Sequence, residues 1–329
     1  MSQPVNPRSV LLCLAGVLSG AALLLGGAAL VLVDTLASPR VVHDRQSLEE
    51  GSGTCVAVSP DQIDPANEGK LVFTTGPVTG EETLRDGLLG VAAPAVKLIR
   101  RVEIYQWVEQ RRTHRTGTPG HRTTTYAYLR MRHWVSQPVD SRGFHIKSTT
   151  KQRPTNVGSL PLPQESWYAK QVRLGSFNLA RRQIDKLGLT KLPVTAGMVA
   201  GLPPEWKGRL HLGPDGILYL PATPGHEAKN PVIGDVRITY ELAKPQTVSV
   251  LARQAGDSFE PWLASNGDTP LDDFRLGSVT KETMFTELKK ENPPRSWTLP
   301  LLGAAAAAVG LCLIVGGVAM FRRCRPVAA

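Results

Sequence analysis

Apolar and polar positions along the chain sort into three regimes. Val10–Val33 and Leu299–Phe321 are apolar runs without a charged residue. A helix needs about 20 apolar residues to cross a hydrocarbon core of about 30 Å, so each run predicts a transmembrane helix. The stretch between them changes period. Val102, Ile104, Gln106 and Val108 alternate with Glu103, Tyr105 and Trp107, the twofold repeat of a strand with one face inward. Thr123–Val135 alternates in the same way, and the connector between them holds Gly117, Pro119 and Gly120. The two segments predict a long antiparallel hairpin.

Further strands are predicted at Leu71–Thr75, Gly216–Leu220, Gly234–Leu242, Thr247–Gln254 and Phe259–Leu263, with a turn at Gly256-Asp257. Phe177–Leu187 predicts a short helix, and Val279–Lys290 an amphipathic one that Pro293 and Pro294 stop. Pro154, Pro161, Pro163, Pro193, Pro203 and Pro204 forbid long helices elsewhere in the middle. The fold class expected is therefore integral membrane, α+β: two transmembrane helices bracketing a mainly antiparallel-β ectodomain with a few short helices. Its parts are a short tail (1–9), the first span (10–33), a juxtamembrane connector with little structure of its own (34–67), the β-rich domain (68–298), the second span (299–321) and a basic tail (322–329). Similar Gly-led strand starts at Lys70-Leu71 and Gly216-Ile217 suggest two β units, about 68–150 and 214–265.

Charge favours one orientation, although Lys289, Lys290 and Arg295 flank the second span on its other side. Arg322, Arg323 and Arg325 abut the second span, and arginines touching a helix end tend to stay cytoplasmic. Trp297 at the other end suits a headgroup belt. Both termini are then expected in the cytoplasm and the domain outside it. A cleaved signal sequence fits the first run poorly, because the run exceeds an ordinary signal core and Asp34–Pro39 does not match a small-residue cleavage site. The chain carries +10 overall. Four of its 38 basic residues lie outside the central segment and all 28 acidic ones inside it, so the segment is basic by six charges, 34 against 28. That balance is short of a nucleic-acid footprint, so no nucleic-acid partner is expected. Cys13 and Cys312 sit in the apolar runs, Cys324 in the tail and Cys55 alone in the domain, so no internal disulfide or zinc site is expected.

Two groups of residues stand out as candidate sites. Gly16 and Gly20 form a GxxxG in the first run, Gly26 and Gly27 extend its small-residue surface, and Gly316 and Gly317 place small residues in the second. Small residues let helix backbones approach closely, so they are expected at a helix contact, between the two spans or between copies in a homo-oligomer. At the hairpin tip, Arg111, Arg112, Arg115, His121 and Arg122 gather cations. They read either as a solvated loop or as a contact for an anionic surface, lipid headgroups or an acidic partner. His114 and His121 lack neighbours at metal-ligand spacing. Trp107 and Trp134 read as sheet-face packing rather than a stacking platform.

No G-x-S-x-G, H-E-x-x-H, Walker or dinucleotide motif is present, and Glu81-Glu82 and Asp272-Asp273 are merely adjacent pairs. Neither an enzyme nor a cofactor is expected.

Six segments, taken in order, resemble the transmembrane protein 43 (LUMA) family: Asn67–Val72, Pro94–Leu98, Val102–Glu109, Ile184-Asp185-Lys186, Gly234–Ile238 and Val250–Asp257. Tyr105-Gln106-Trp107-Val108-Glu109 is the most specific piece. The resemblance implies an endomembrane scaffold whose large domain faces a lumen, which self-associates and organises other membrane proteins. It implies no catalytic residue. Vertebrate members carry several helices after the domain, where this sequence shows one. The Arg-, Ala-, Gly- and Pro-rich composition resembles a high-GC bacterium. The expected location is the bacterial cytoplasmic membrane with a periplasmic domain, or the endoplasmic reticulum and nuclear envelope in a eukaryote. A scaffold role is the first expectation. A sensor or binding module for a lipid or lumenal ligand is the second, and an envelope enzyme the last.

Overall fold

The computed structural model describes residues 7–117, 122–145, 154–225, 229–265, 270–293 and 298–323. Five α-helices occur among them: α1 (Pro7–Thr54), α2 (Arg181–Ile184), α3 (Ala196–Ala200), α4 (Lys281–Glu291) and α5 (Thr298–Arg323). Leu14–Val33 of α1 and Thr298–Phe321 of α5 are long and apolar enough to cross a membrane. Between α1 and α4 lie two seven-stranded sheets and two small two-stranded ones.

The connector expected at 34–67 is instead helical as far as Thr54. The helix persists through Pro39 because both of its ends are held: one by the apolar span, the other by packing in the domain. Leu48 is buried there, and a Cβ on Gly51 would lie 2.7 Å from Leu271 Cδ1 and 3.0 Å from Leu71 Cδ2. Once a helix is nucleated, each added residue gains a hydrogen bond, so the intervening polar residues propagate it. At about 1.5 Å per residue, the 48 residues of α1 span roughly 70 Å.

The strand Leu71–Thr79 has both faces buried over its first half. Val72 and Val78 enter the large core, while Leu71 and Phe73 face a second cluster with Leu48, Cys55, Leu251, Trp262, Met284 and Phe285. The first sheet is thus covered on one side by the end of α1 and by α4. Its main pairing joins Leu71–Thr79 to Thr247–Ala255 in antiparallel register. The second sheet pairs Lys97–Thr116 with Val236–Ala243 and with Thr123–Val135. It sends Leu98, Val102, Ile104, Val236, Ile238 and Leu218 into the same large core.

These pairings exclude two sequential β units. Each sheet interleaves strands from the early and the late half of the domain, so neither half buries an apolar face alone. The helix expected at Phe177–Leu187 is also revised. Phe177–Asn178 is a strand whose Phe177 stacks on Phe259 with centroids 4.7 Å apart, and only Arg181–Ile184 is helical. Phe177 is fully buried against the sheet, and that burial outweighs a weak helical preference. The hairpin is longer than expected on its first strand, and α4 lies where amphipathic periodicity put it.

Candidate functional site

The inward residues of the second sheet fill the core, so its outward residues form the surface. On Lys97–Thr116 these are Arg101, Glu103, Tyr105, Trp107, Glu109 and Arg111. The register sets Glu103 opposite Arg237, Tyr105 opposite Trp134, Trp107 opposite Arg132, Glu109 opposite Arg130 and Arg111 opposite Tyr128. Cross-strand pairs of this kind are the unit of sheet stabilisation, and most are charged or aromatic here. Arg101 pairs with Glu241 at 2.6 Å and Arg237 with Glu103 at 2.7 Å.

Arginine planes lie on rings along the face. Arg237 is 4.8 Å from the Trp134 centroid, Arg132 is 5.5 Å from Trp107, and Arg111 is 5.2 Å from Tyr126. Trp134 also meets Tyr105 and Tyr219 at 5.2 and 6.3 Å. Beside Trp134 opens a cavity of about 430 Å³ lined by Tyr219, His211, Lys229, Pro214 and Pro231. Asp235 lines it as well, so with Lys229 it holds one charge of each sign, and its aromatic wall suits an apolar group above all.

Glu109 anchors the middle of the face. Burial pushes its carboxyl up, but the His145 N–H and Arg130 outweigh it and hold the pKa below the usual carboxylate range. The bonds are His145 N–H to Oε1 at 2.7 Å and Arg130 Nε to Oε2 at 3.0 Å.

A second ionic group lies inside the protein. Asp86 and Arg100 are both fully buried and paired at 2.6 Å. Asp86 Oδ1 accepts from the N–H groups of Leu88 and Leu89, and Oδ2 accepts from Tyr240 Oη at 2.6 Å. Arg100 also donates to the Pro163 carbonyl and to Glu165. Burial, then the Asp86 charge, pushes the Tyr240 phenol well above its ordinary value. These bonds join three strands to a turn, so the arrangement is structural. Among the described residues no three His, Cys, Asp or Glu side chains come together as a metal site.

The spans pack against each other as an antiparallel pair. Gly20 faces Gly310 and Gly27 faces Gly303. A Cβ on Gly20 would lie 2.6 Å from the Gly310 carbonyl oxygen and 2.8 Å from Ile314 Cγ1. In α5 the covered positions, Gly303, Ala307, Gly310, Ile314 and Gly317, recur at alternating four and three residues, the seam of a left-handed pair.

A family model described as Transmembrane protein 43 matches residues 104–329. Transmembrane protein 43 of Mus musculus is 32% identical over 290 residues, covering 84% of this chain and 68% of the relative. The chain belongs to the transmembrane protein 43 family. Transmembrane protein 43 of Homo sapiens is 30% identical over 290 residues, with the same shares, and the Drosophila melanogaster homolog is 28% identical over 261 residues, covering 77% of this chain and 65% of the relative. The chain thus spans about two thirds of the length of these relatives. No solved structure matches.

In this transmembrane protein 43 family member the residues singled out from sequence are dispersed. Gly20 is in the helix seam, and Gly16 only touches its rim, 4.0 Å from the Leu313 carbonyl oxygen. Gly317 is half-buried, whereas Gly316 has open space around it. Gly316 is thereby corrected: it is one residue, about 100°, out of phase with the seam. Gly27, which extends the small-residue surface of the first run, is in the seam facing Gly303, whereas Gly26 has open space around it. Gly303 and Gly310 were missed, because the contact repeats every seven residues rather than every four. Arg111 and Arg115 lie on the outward face of the hairpin and Arg112 on the opposite one; all three are exposed. Arg122 is exposed just before the returning strand. His121, Trp297 and Arg325 lie outside the described residues, and Arg322 and Arg323 close α5. The aromatic pocket beside Trp134 was also missed. The alternation around Tyr105 and Trp134 was its one available signal, since Tyr219 and Lys229 come from distant sequence.

Proposed function

We propose that the protein is a non-catalytic, membrane-anchored scaffold that holds a rigid β-structured body beside the bilayer and gathers other membrane proteins around it. The observation that carries this reading is the continuity of α1. The helix that lines the span enters the domain without a break and is locked there by Leu48 and Gly51, while α5 packs along it. A body on a stiff stalk keeps a fixed orientation to its membrane, which positioning partners requires and turnover of a soluble substrate does not. Close packing along the Gly20–Gly310 seam supports the same stiffness. In this reading both termini are cytoplasmic and the domain is extracytoplasmic, in a periplasm or a lumen according to host.

Cross-linking in intact membranes followed by native separation tests it. The chain should migrate in a complex with itself or with other membrane proteins. A lone monomer with no cross-linked neighbours refutes the scaffold. Reporter cysteines in the domain should react with an impermeant reagent from the extracytoplasmic side only.

A further inference from the structure

The hairpin changes character at Trp107. Up to Tyr105 its first strand is laddered to the neighbouring strand: the Tyr105 N–H donates to the Asp235 carbonyl at 2.8 Å, and the Gly234 N–H to the Tyr105 carbonyl at 2.9 Å. At Trp107 a side chain takes over. Asn156 accepts from the Trp107 N–H and donates to its carbonyl, both at 2.9 Å, so one amide replaces a strand peptide. Residues two apart share a main-chain direction, so Glu109, Arg111, Thr113 and Arg115 point theirs the same way. Among the described residues no strand is registered against this side of them: the pairing with Val236–Ala243 ends at Ile104, and only Thr123–Val135, on the other side, continues. A two-stranded ribbon is marginal in water without a further strand or a covering helix.

Side chains bordering this open edge carry one sign. From Trp107 to Thr116 there are three arginines against one glutamate, and Glu109 is already bound to Arg130. Arg111 and Arg115 stand on one face and Arg112 and His114 on the other, so an added strand would meet cations on both of its alternating faces. A second copy of this edge would bring arginine to arginine, which is unfavourable across a sheet. Where the open edge begins, the pocket of Trp134, Tyr219 and Lys229 adjoins the start of the strand Val236–Ala243.

We infer that the edge Glu109–Arg115 docks an extended acidic segment of a partner protein by strand addition, with one end of that segment seated in the Trp134 pocket. Main-chain bonds supply the affinity and the arginines select the sign of charge, as in other edge-recognition modes. The inference deepens the scaffold reading by naming the chemistry of what is gathered. A lipid surface or a nucleic acid would use the arginines but not the main-chain edge.

The test uses the full chain in neutral detergent micelles and a fluorescent twelve-residue peptide of alternating Glu and Thr ending in Trp. Saturable binding that weakens with salt is expected. Reversal of the edge in an Arg111→Glu, Arg112→Glu, Arg115→Glu variant should weaken it by about tenfold or more. These side chains are exposed, so unchanged tryptophan fluorescence will show that the fold is kept. The same peptide N-methylated at every second residue keeps its charge and loses its strand edge, and should also bind about tenfold more weakly. Equal binding of the two peptides overturns strand addition. Binding of phosphatidylserine vesicles or oligothymidylate through the same arginines, with no peptide binding, overturns the polypeptide partner. Failure of the peptide while cross-linked neighbours persist removes this inference alone; peptide binding by a monomer without neighbours removes the scaffold reading instead.

Discussion

Removing the charge of Arg100 should destabilise the domain more than any surface change. Its guanidinium is wholly buried and Nη1 donates to both oxygens of Asp86, at 2.7 and 2.6 Å. Arg100→Met keeps much of the volume but leaves the Asp86 carboxylate buried, with Tyr240 and two backbone N–H groups as its remaining donors. Breaking a buried pair by removing one partner costs about 3–5 kcal/mol. The Pro163 carbonyl, which accepts from Arg100 Nε at 3.0 Å, would lose its donor for about another 1–3 kcal/mol if water cannot reach it. Asp86→Asn keeps an oxygen for the Leu88 and Leu89 N–H groups but strands the arginine, whose other acid, Glu165, is half-exposed. Its expected cost is also about 3–5 kcal/mol. The double variant removes both charges and should cost much less than the sum of the single ones, with a coupling of about 2–3 kcal/mol. Urea unfolding in micelles, followed by tryptophan fluorescence, measures all three. A loss below about 1 kcal/mol for Arg100→Met, or additivity within about 0.5 kcal/mol, would refute the buried pair as the tie between these strands.

Other expectations concern the spans, the thiol and pH. Gly20→Ile places side-chain atoms against the α5 backbone and should cost about 1–3 kcal/mol of helix packing; disulfide formation between Leu24→Cys and Ala307→Cys would fall, and an undiminished yield would contradict the seam. Cys55 is buried, and burial pushes its thiol up to about 11 despite Lys281 nearby; thiol reagents at pH 8 should leave it unmodified until denaturant is added. Tyr240 has a raised folded pKa, so its contribution is complete below the unfolded value near 10 and is lost as pH climbs beyond it; Tyr240→Phe should flatten that alkaline fall in urea titrations. Gly80 has φ +104°, and a Cβ there would collide with the Gln171 carbonyl, so Gly80→Ala should lower the urea midpoint markedly.

Much of the architecture was legible because it rests on local patterns. Charge-free runs, twofold alternation and amphipathic helical spacing are properties of short windows, and they mark both spans, the hairpin and α4 without reference to anything distant. The transmembrane protein 43 kinship likewise rests on short segments such as Tyr105–Glu109. What the sequence could not show depends on partners far along the chain. Residues 34–54 carry no helical stripe strong enough to be read alone; they are helical because Leu48 and Gly51 meet Leu71, Leu271 and Phe285. Gly303 and Gly310 acquire meaning only when two antiparallel spans are set in register. Arg100 and Asp86 read as ordinary surface charges until strand pairing removes their water. Periodicity decided which residues face inward, whereas burial, which needs a second surface to exclude solvent, decided what each of those residues does.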